Sequence, residues 1–99
     1  MAGRRQARFF FVEGQVQGVG FRFFVEHEAN QLGVTGYVRN LYDGRVEVYA
    51  LGKEAWLQKL RRRLEQGPPG SHVKRVVERE APVSSCDNFS IAASGPPSS

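Results

Sequence analysis

The sequence is poor in the residues that build covalent or metal-based sites. A single cysteine, Cys86, occurs in 99 residues, so an internal disulfide, a cysteine-rich zinc site and an iron–sulfur cluster are excluded. Only two histidines are present, His27 and His72, and they have no metal-ligand spacing. We therefore expect no metal site, and we interpret Cys86 as an ordinary reduced thiol.

Long apolar runs are also missing. No stretch approaches the roughly 20 residues that cross a membrane, and the polar, basic start leads into the short apolar run 9–12 rather than a signal sequence. We therefore expect a cytoplasmic protein without a membrane partner. A chain of 99 residues can bury one two-layer core but not a deep cofactor cavity, so any site should lie at the surface or in a loop.

The charge balance is the one compositional hint about a partner. Fourteen Lys and Arg residues against ten Asp and Glu residues give a net charge of +4. Such an excess fits a nucleic acid, an anionic surface or a small anionic substrate attracted by the field of the protein. The net charge does not choose among them.

The apolar pattern alternates between strand-like and helix-like segments. Strands are predicted at 8–13, 34–41, 45–51, 72–80 and 88–92, and amphipathic helices at 21–32 and 53–65. The order β-α-β-β-α-β is typical of a ferredoxin-like α+β sandwich, with two helices on one face of an antiparallel sheet. We expect one domain at 8–93, a flexible N-terminus at 1–7 and a disordered tail at 94–99, which has no apolar side chain to bury.

The loop between the first strand and the first helix is the segment most suited to chemistry. It places three glycines before a helix start, with Arg22 on the first turn. Free N–H groups, the positive end of the helix dipole and an arginine fork would together form a seat for an anion. Walker A and dinucleotide-binding patterns do not fit, because Phe21-Arg22-Phe23 stands where they need Lys-Ser/Thr or a further glycine. From spacing alone, a tight turn with a solvated arginine is an equally good interpretation.

Two motifs resolve this choice through a resemblance. The segments Gly14-Gln15-Val16-Gln17-Gly18-Val19-Gly20-Phe21-Arg22 and Gly36-Tyr37-Val38-Arg39-Asn40 closely resemble the V-Q-G-V-x-F-R and G-[WYF]-V-x-N motifs of the acylphosphatase family. The resemblance extends, more loosely, over about residues 9–91. It implies an enzyme that hydrolyses small acyl phosphates without a metal or an organic cofactor. We expect a monomer, because nothing in the sequence requires more than one chain.

The resemblance also assigns roles to residues. It implies that Arg22 binds the phosphoryl group and that Asn40 orients the attacking water. The backbone amides that cradle the phosphate fall on Gln15, Val16, Gln17, Gly18, Val19 and Gly20. Gln15 departs from the basic residue often found there, and the tail beyond Ala93 lies outside the family pattern.

Two alternatives stay open at this point. A basic, aromatic-rich ferredoxin-like domain could be a non-catalytic RNA- or phosphate-binding module, and 20–25 loosely echoes the aromatic signature of RNA-recognition motifs. Those aromatics stand on a central strand, however, whereas these open a helix. The chain could also be a relative of the acylphosphatase-like domain inside larger hydrogenase-maturation carbamoyltransferases, although it lacks their zinc-finger and transferase segments. No nucleic-acid partner is expected.

Overall fold

Two helices pack on one face of a five-stranded sheet in the computed structural model, which describes residues 4–98. The elements are β1 Arg5–Gln15, α1 Phe21–Leu32, β2 Thr35–Asn40, β3 Val46–Lys53, α2 Glu54–Gln66, β4 His72–Glu80 and β5 Phe89–Ile91. The ferredoxin-like α+β fold predicted from the sequence is confirmed.

The strands stand side by side in the order β4-β1-β3-β2-β5. The first four are antiparallel, and β5 pairs in parallel with β2, where Gly36 lies opposite Phe89. The sheet is therefore mixed at one edge, a pairing that the sequence left open. It arises because the chain crosses the sheet after β4 and returns along the outside of β2.

The main core lies between the helices and the sheet. Each helix contributes three fully buried side chains at a spacing of three or four residues, which lie on one helical face. They are Phe21, Val25 and Ala29 from α1 and Leu57, Leu60 and Leu64 from α2. Burying a side chain of this size stabilises the fold by roughly 1.5–3 kcal/mol, so these contacts hold the start of α1 firmly against the sheet.

The sheet face opposite the helices, here called the open face, is also partly covered. Tyr49 is 5% exposed, and its hydroxyl donates to the Pro82 carbonyl at 2.8 Å and accepts from the Ser84 amide at 2.9 Å. Ala81 and Cys86 pack beside it, so the segment joining β4 to β5 covers part of this face. Phe11, on the same face, is also buried, with the Arg45 guanidinium 5.0 Å from its ring centroid, so neither Tyr49 nor Phe11 is offered for stacking with bases.

The flexible segments predicted at the two ends, 1–7 and 94–99, are too long. The N-terminal boundary at residue 7 is wrong because β1 begins at Arg5, which pairs with Lys53, and Ala7 is buried. The predicted disorder is wrong for 95–98, because Gly95 is buried and forms a bridge with Leu41, and the Ser98 amide donates to Glu47 at 2.8 Å. Backbone hydrogen bonds order these residues without apolar side chains. Residues 1–3 and 99 lie outside the described part of the chain.

Candidate active site

The β1–α1 loop delivers free backbone amides to one point on the surface. Gly18 and Gly20 have φ values of 75° and 77°, in the left-handed region that glycine adopts most easily. The first helical hydrogen bond runs from the Phe24 amide to the Gly20 carbonyl at 3.0 Å. The amides of the preceding first turn have no intrahelical acceptor, and they lie at the positive end of the α1 dipole. The loop thus has the geometry of an anion site.

A small cavity at this point brings together the two side chains that the motifs single out. Its volume is about 60 Å³, and it is lined by Val16, Gly18, Gly20, Phe21, Arg22, Phe23 and Asn40. A water molecule occupies about 30 Å³ in the liquid, so the cavity can take a compact polar group and not a large ligand. Arg22 and Asn40 are 18 positions apart in sequence. The fold makes them neighbours because α1 and β2 pack together.

Arg22 is half-buried, and within residues 4–98 it forms no ion pair. Several other arginines do form ion pairs; for example, Arg61 contacts Glu78 at 2.7 Å, and Arg75 contacts Glu13 at 3.0 Å. The five N–H donors of the Arg22 guanidinium are therefore available to a partner other than a protein carboxylate. Glu13 precedes the loop, but it does not line the cavity.

Asn40 is the last residue of β2, and its side chain carries an unmatched acceptor. Its Oδ1 atom is buried and has no hydrogen-bond donor within the described chain. Buried polar atoms are nearly always paired, so an exception beside a small polar cavity is informative. A carboxamide oxygen accepts hydrogen bonds, which suits it to hold an O–H donor such as water.

Gln17 adds a contact that sequence reasoning missed, because only its backbone was assigned a role. Its Nε2 amide donates to the carbonyls of Leu41 at 2.8 Å and Arg45 at 2.9 Å. Leu41 follows Asn40 directly, so one side chain joins the loop to the hairpin that carries Asn40. The sequence did not distinguish Gln17 from Gln15, since both are glutamines between Gly14 and Gly18.

A larger depression near the loop has less suitable chemistry. It measures about 500 Å³ and includes Glu13, Asp43, Arg45 and Lys74 in its lining. Arg45 contacts Asp43 at 2.8 Å, and hydrogen bonds from Arg45 lower the pKa of Asp43. The charges of this depression therefore largely satisfy one another, whereas those of the 60 Å³ cavity do not.

Comparison with known proteins agrees with this geometry. The acylphosphatase family model matches residues 8–91. The chain belongs to the acylphosphatase family. It is 51% identical to the acylphosphatase of Solibacter usitatus over 87% of this chain and 90% of that one. It is 44% identical to the acylphosphatase of Archaeoglobus fulgidus, over 83% of this chain and 92% of that one. The prediction of an enzyme of this family is confirmed.

Solved structures show the same relationship. The crystal structure of acylphosphatase from Bacillus subtilis superimposes with a TM-score of 0.84 at 40% identity, covering 90% of this chain and 99% of that one. Full-length HypF, solved in a phosphate- and nucleotide-bound form, superimposes with a TM-score of 0.89 at 29% identity. That match covers 99% of this chain and 13% of HypF, so the fold also occurs as a small part of a larger protein.

Residues 4–98 contain no membrane-spanning helix and no cluster of metal-binding side chains. No helix there is long and apolar enough to cross a membrane. No group of three or more His, Cys, Asp or Glu side chains that could hold a metal ion occurs in the same residues. His27 and His72 are both exposed, and neither lines the 60 Å³ cavity.

Proposed function

We propose that this acylphosphatase-family chain hydrolyses the carboxyl–phosphate bond of small acyl phosphates at the 60 Å³ cavity, without a metal ion. One observation carries the proposal: an arginine without a carboxylate partner and a buried, unmatched amide oxygen line the same small cavity at a helix N-terminus. Each of these features suits one part of the reaction.

The phosphoryl group is the part of the substrate that the cavity would bind. Backbone amides of residues 15–20 and the first turn of α1 would donate to its oxygens, and the Arg22 fork matches two of them. In phosphoryl transfer, charge is spread over the equatorial oxygens of the transition state. Fixed donors aimed at these oxygens stabilise that charge without reorganising during the step.

The Asn40 amide would hold the attacking water. Its Oδ1 accepts one O–H bond and so directs the water oxygen toward phosphorus. A carboxamide does not take up a proton near neutral pH, so Asn40 orients the water and is not a base. The bond from the water oxygen to phosphorus forms as the bond from phosphorus to the acyl oxygen breaks. A proton of the water goes to a phosphate oxygen.

The leaving group explains why no protein acid is needed. The electron pair of the broken bond leaves with the carboxylate, whose conjugate acid has a pKa of about 4. Such a group departs as an anion near neutral pH without protonation. The reaction therefore needs binding, positioning and charge stabilisation, which the loop, Arg22 and Asn40 can supply.

We further propose that one chain suffices, because all residues of the proposed site come from a single chain. The acyl part of the substrate would extend out of the cavity, whose volume is only about 60 Å³. The cytoplasmic location and the absence of a nucleic-acid partner stay predictions from the sequence.

Turnover of benzoyl phosphate in excess chelator tests the proposal. We expect hydrolysis by the unaltered chain, loss of turnover together with loss of inhibition by inorganic phosphate in Arg22→Ala, and lowered kcat with retained phosphate inhibition in Asn40→Ala. Arg62→Ala is the matched control, because it removes the same charge from an exposed position on α2. Inactivity of the unaltered chain, or equal activity of Arg22→Ala and Arg62→Ala, would refute the proposal.

A further inference from the structure

The last residues of the described chain lie beyond the family match and contact the strand that carries Asn40. The family model ends at residue 91. Residues 95–98, here called the C-terminal tail, continue past β5 along the outer edge of β2. Nothing in the resemblance to acylphosphatases gives this tail a role.

The tail continues the edge that β5 begins. β5 pairs in parallel with β2 as far as Val38, opposite Ile91. Four residues after Ile91, the Gly95 amide donates to the Asn40 carbonyl at 3.2 Å, and the Gly95 carbonyl accepts from the Tyr42 amide at 3.1 Å. Gly95 therefore pairs with the backbone on both sides of Leu41. Its amide supplies a hydrogen bond to the Asn40 carbonyl at the outer edge of the sheet.

A buried carboxylate anchors the far end of the tail. Glu47 is fully buried on β3, and it accepts from the Ser98 amide at 2.8 Å and from the Ser98 hydroxyl at 2.9 Å. Arg39, the residue before Asn40, donates to Glu47 at 3.0 Å and also to the Pro96 carbonyl. The tail, Glu47 and Arg39 thus form one hydrogen-bonded unit on the open face.

This arrangement fixes the backbone of Asn40 from two directions. On one side Asn40 pairs with Val46 of β3, and on the other its carbonyl is held by Gly95. A strand end with one free edge can move, whereas a strand end paired on both sides is held in place. An in-line attack tolerates little displacement of the water, and a shift of about 1 Å can cost roughly 100-fold in rate.

We propose that the C-terminal tail is a positioning element for Asn40, holding its backbone so that its amide keeps the attacking water in line. This inference rests on the proposed function. It assigns Gly95 and Ser98 to positioning and not to catalysis, since neither lines the 60 Å³ cavity.

Two full-length variants test the proposal. Gly95→Pro removes the N–H that reaches the Asn40 carbonyl, and Ser98→Pro removes the N–H and hydroxyl that reach Glu47. Ser94→Pro is the matched control, because the Ser94 amide donates no hydrogen bond within residues 4–98. We expect kcat for benzoyl phosphate to fall by roughly 10- to 100-fold in the two variants and by less than about twofold in the control.

Inhibition by inorganic phosphate separates positioning from a general structural role. No residue of the tail lines the 60 Å³ cavity, so the inhibition constant of phosphate should stay within about twofold in every tail variant. On an Asn40→Ala background, Gly95→Pro should lower kcat no further, because the group that it positions is already absent. Undiminished kcat in Gly95→Pro, or the same fold-loss on both backgrounds, would overturn the inference.

Amide hydrogen exchange tests the tail independently of turnover. The Tyr42 amide is bonded to the tail carbonyl of Gly95, so Ser98→Pro should speed its exchange by about tenfold or more while core amides such as that of Leu60 are unchanged. Unchanged exchange at Tyr42 would overturn the inference even if the chain hydrolysed no acyl phosphate. Absence of turnover with faster exchange would instead refute the proposed function alone.

Discussion

Removing the Gln17 side-chain amide should weaken the connection between the β1–α1 loop and the hairpin that carries Asn40. In Gln17→Met the chain keeps its length and charge but loses both donors, to Leu41 at 2.8 Å and to Arg45 at 2.9 Å. A neutral side-chain hydrogen bond contributes about 0.5–1.5 kcal/mol net, and the more exposed bond to Arg45 belongs at the low end. The two bonds together are worth about 1–2 kcal/mol.

That free energy sets the size of the expected effect. If the two bonds serve to align the loop with Asn40, about 1–2 kcal/mol corresponds to a fall in kcat of roughly 5- to 30-fold. The assay is steady-state hydrolysis of benzoyl phosphate, with the inhibition constant of inorganic phosphate measured in parallel. Phosphate inhibition should change little, because Arg22 and the backbone amides remain.

Gln15→Met is the comparison that isolates the two bonds. Gln15 is the last residue of β1, directly before the loop, and its side chain forms no hydrogen bond within the described chain, so the variant reports the loss of a nearby side-chain amide alone. We expect its effect on kcat to be clearly the smaller. Equal kcat values for Gln15→Met and Gln17→Met would show that the bonds to Leu41 and Arg45 do not contribute to alignment.

Three further outcomes are expected. Gly36→Ala should lower the free energy of unfolding in urea by roughly 3 kcal/mol or more, because a Cβ there would lie 1.9 Å from the Tyr49 carbonyl oxygen. Gly44→Ala, with φ at 96° and open space around it, should cost only about 1–2 kcal/mol. Glu47→Gln should cost about 3–5 kcal/mol by chemical denaturation at pH 7, since it breaks a buried ion pair with Arg39.

The Glu47 effect should depend on pH in a defined direction. Burial alone raises the pKa of Glu47, but the hydrogen bonds from Arg39, Ser98 and Tyr37 outweigh it, so the net pKa is lowered. The folded state then binds the proton less tightly than the unfolded state. The stability from the carboxylate is present above the unfolded pKa of about 4.3 and is lost as pH falls through the folded pKa. A stability difference from Glu47→Gln that grew on acidification would contradict this sign.

Local chemistry made much of the fold predictable. The apolar residues at helical spacing in 21–32 and the alternating apolar residues in 46–50 supply side chains that the main core buries. Gly33 ends α1 in the left-handed conformation. Arg22 could be singled out because it follows the glycines at a helix start, whereas Asn40 could be singled out only because its motif resembles that of the acylphosphatase family. Their meeting in one cavity depends on the packing of α1 on β2, which only the structure supplies.

The contacts made by polar side chains and backbone could not be predicted. In an alternating strand Glu47 is expected to face water, yet it is fully buried, because the C-terminal tail and Arg39 cover it. The tail itself offers no apolar pattern, since its order comes from bonds made by Gly95 and Ser98 to distant residues. Gln17 is a similar case, with partners more than 20 positions away. Hydrogen bonds between such distant residues produce no periodic pattern in the sequence.

The most direct test of the proposed mechanism follows the oxygen of the attacking water. Benzoyl phosphate is hydrolysed by the unaltered chain in ¹⁸O-labelled water with excess chelator, and the products are separated and weighed by mass spectrometry. Attack at phosphorus by a water held at Asn40 puts the label in inorganic phosphate and leaves benzoate unlabelled. Label in benzoate would mean attack at the carbonyl carbon, and it would contradict a site built around the phosphoryl group.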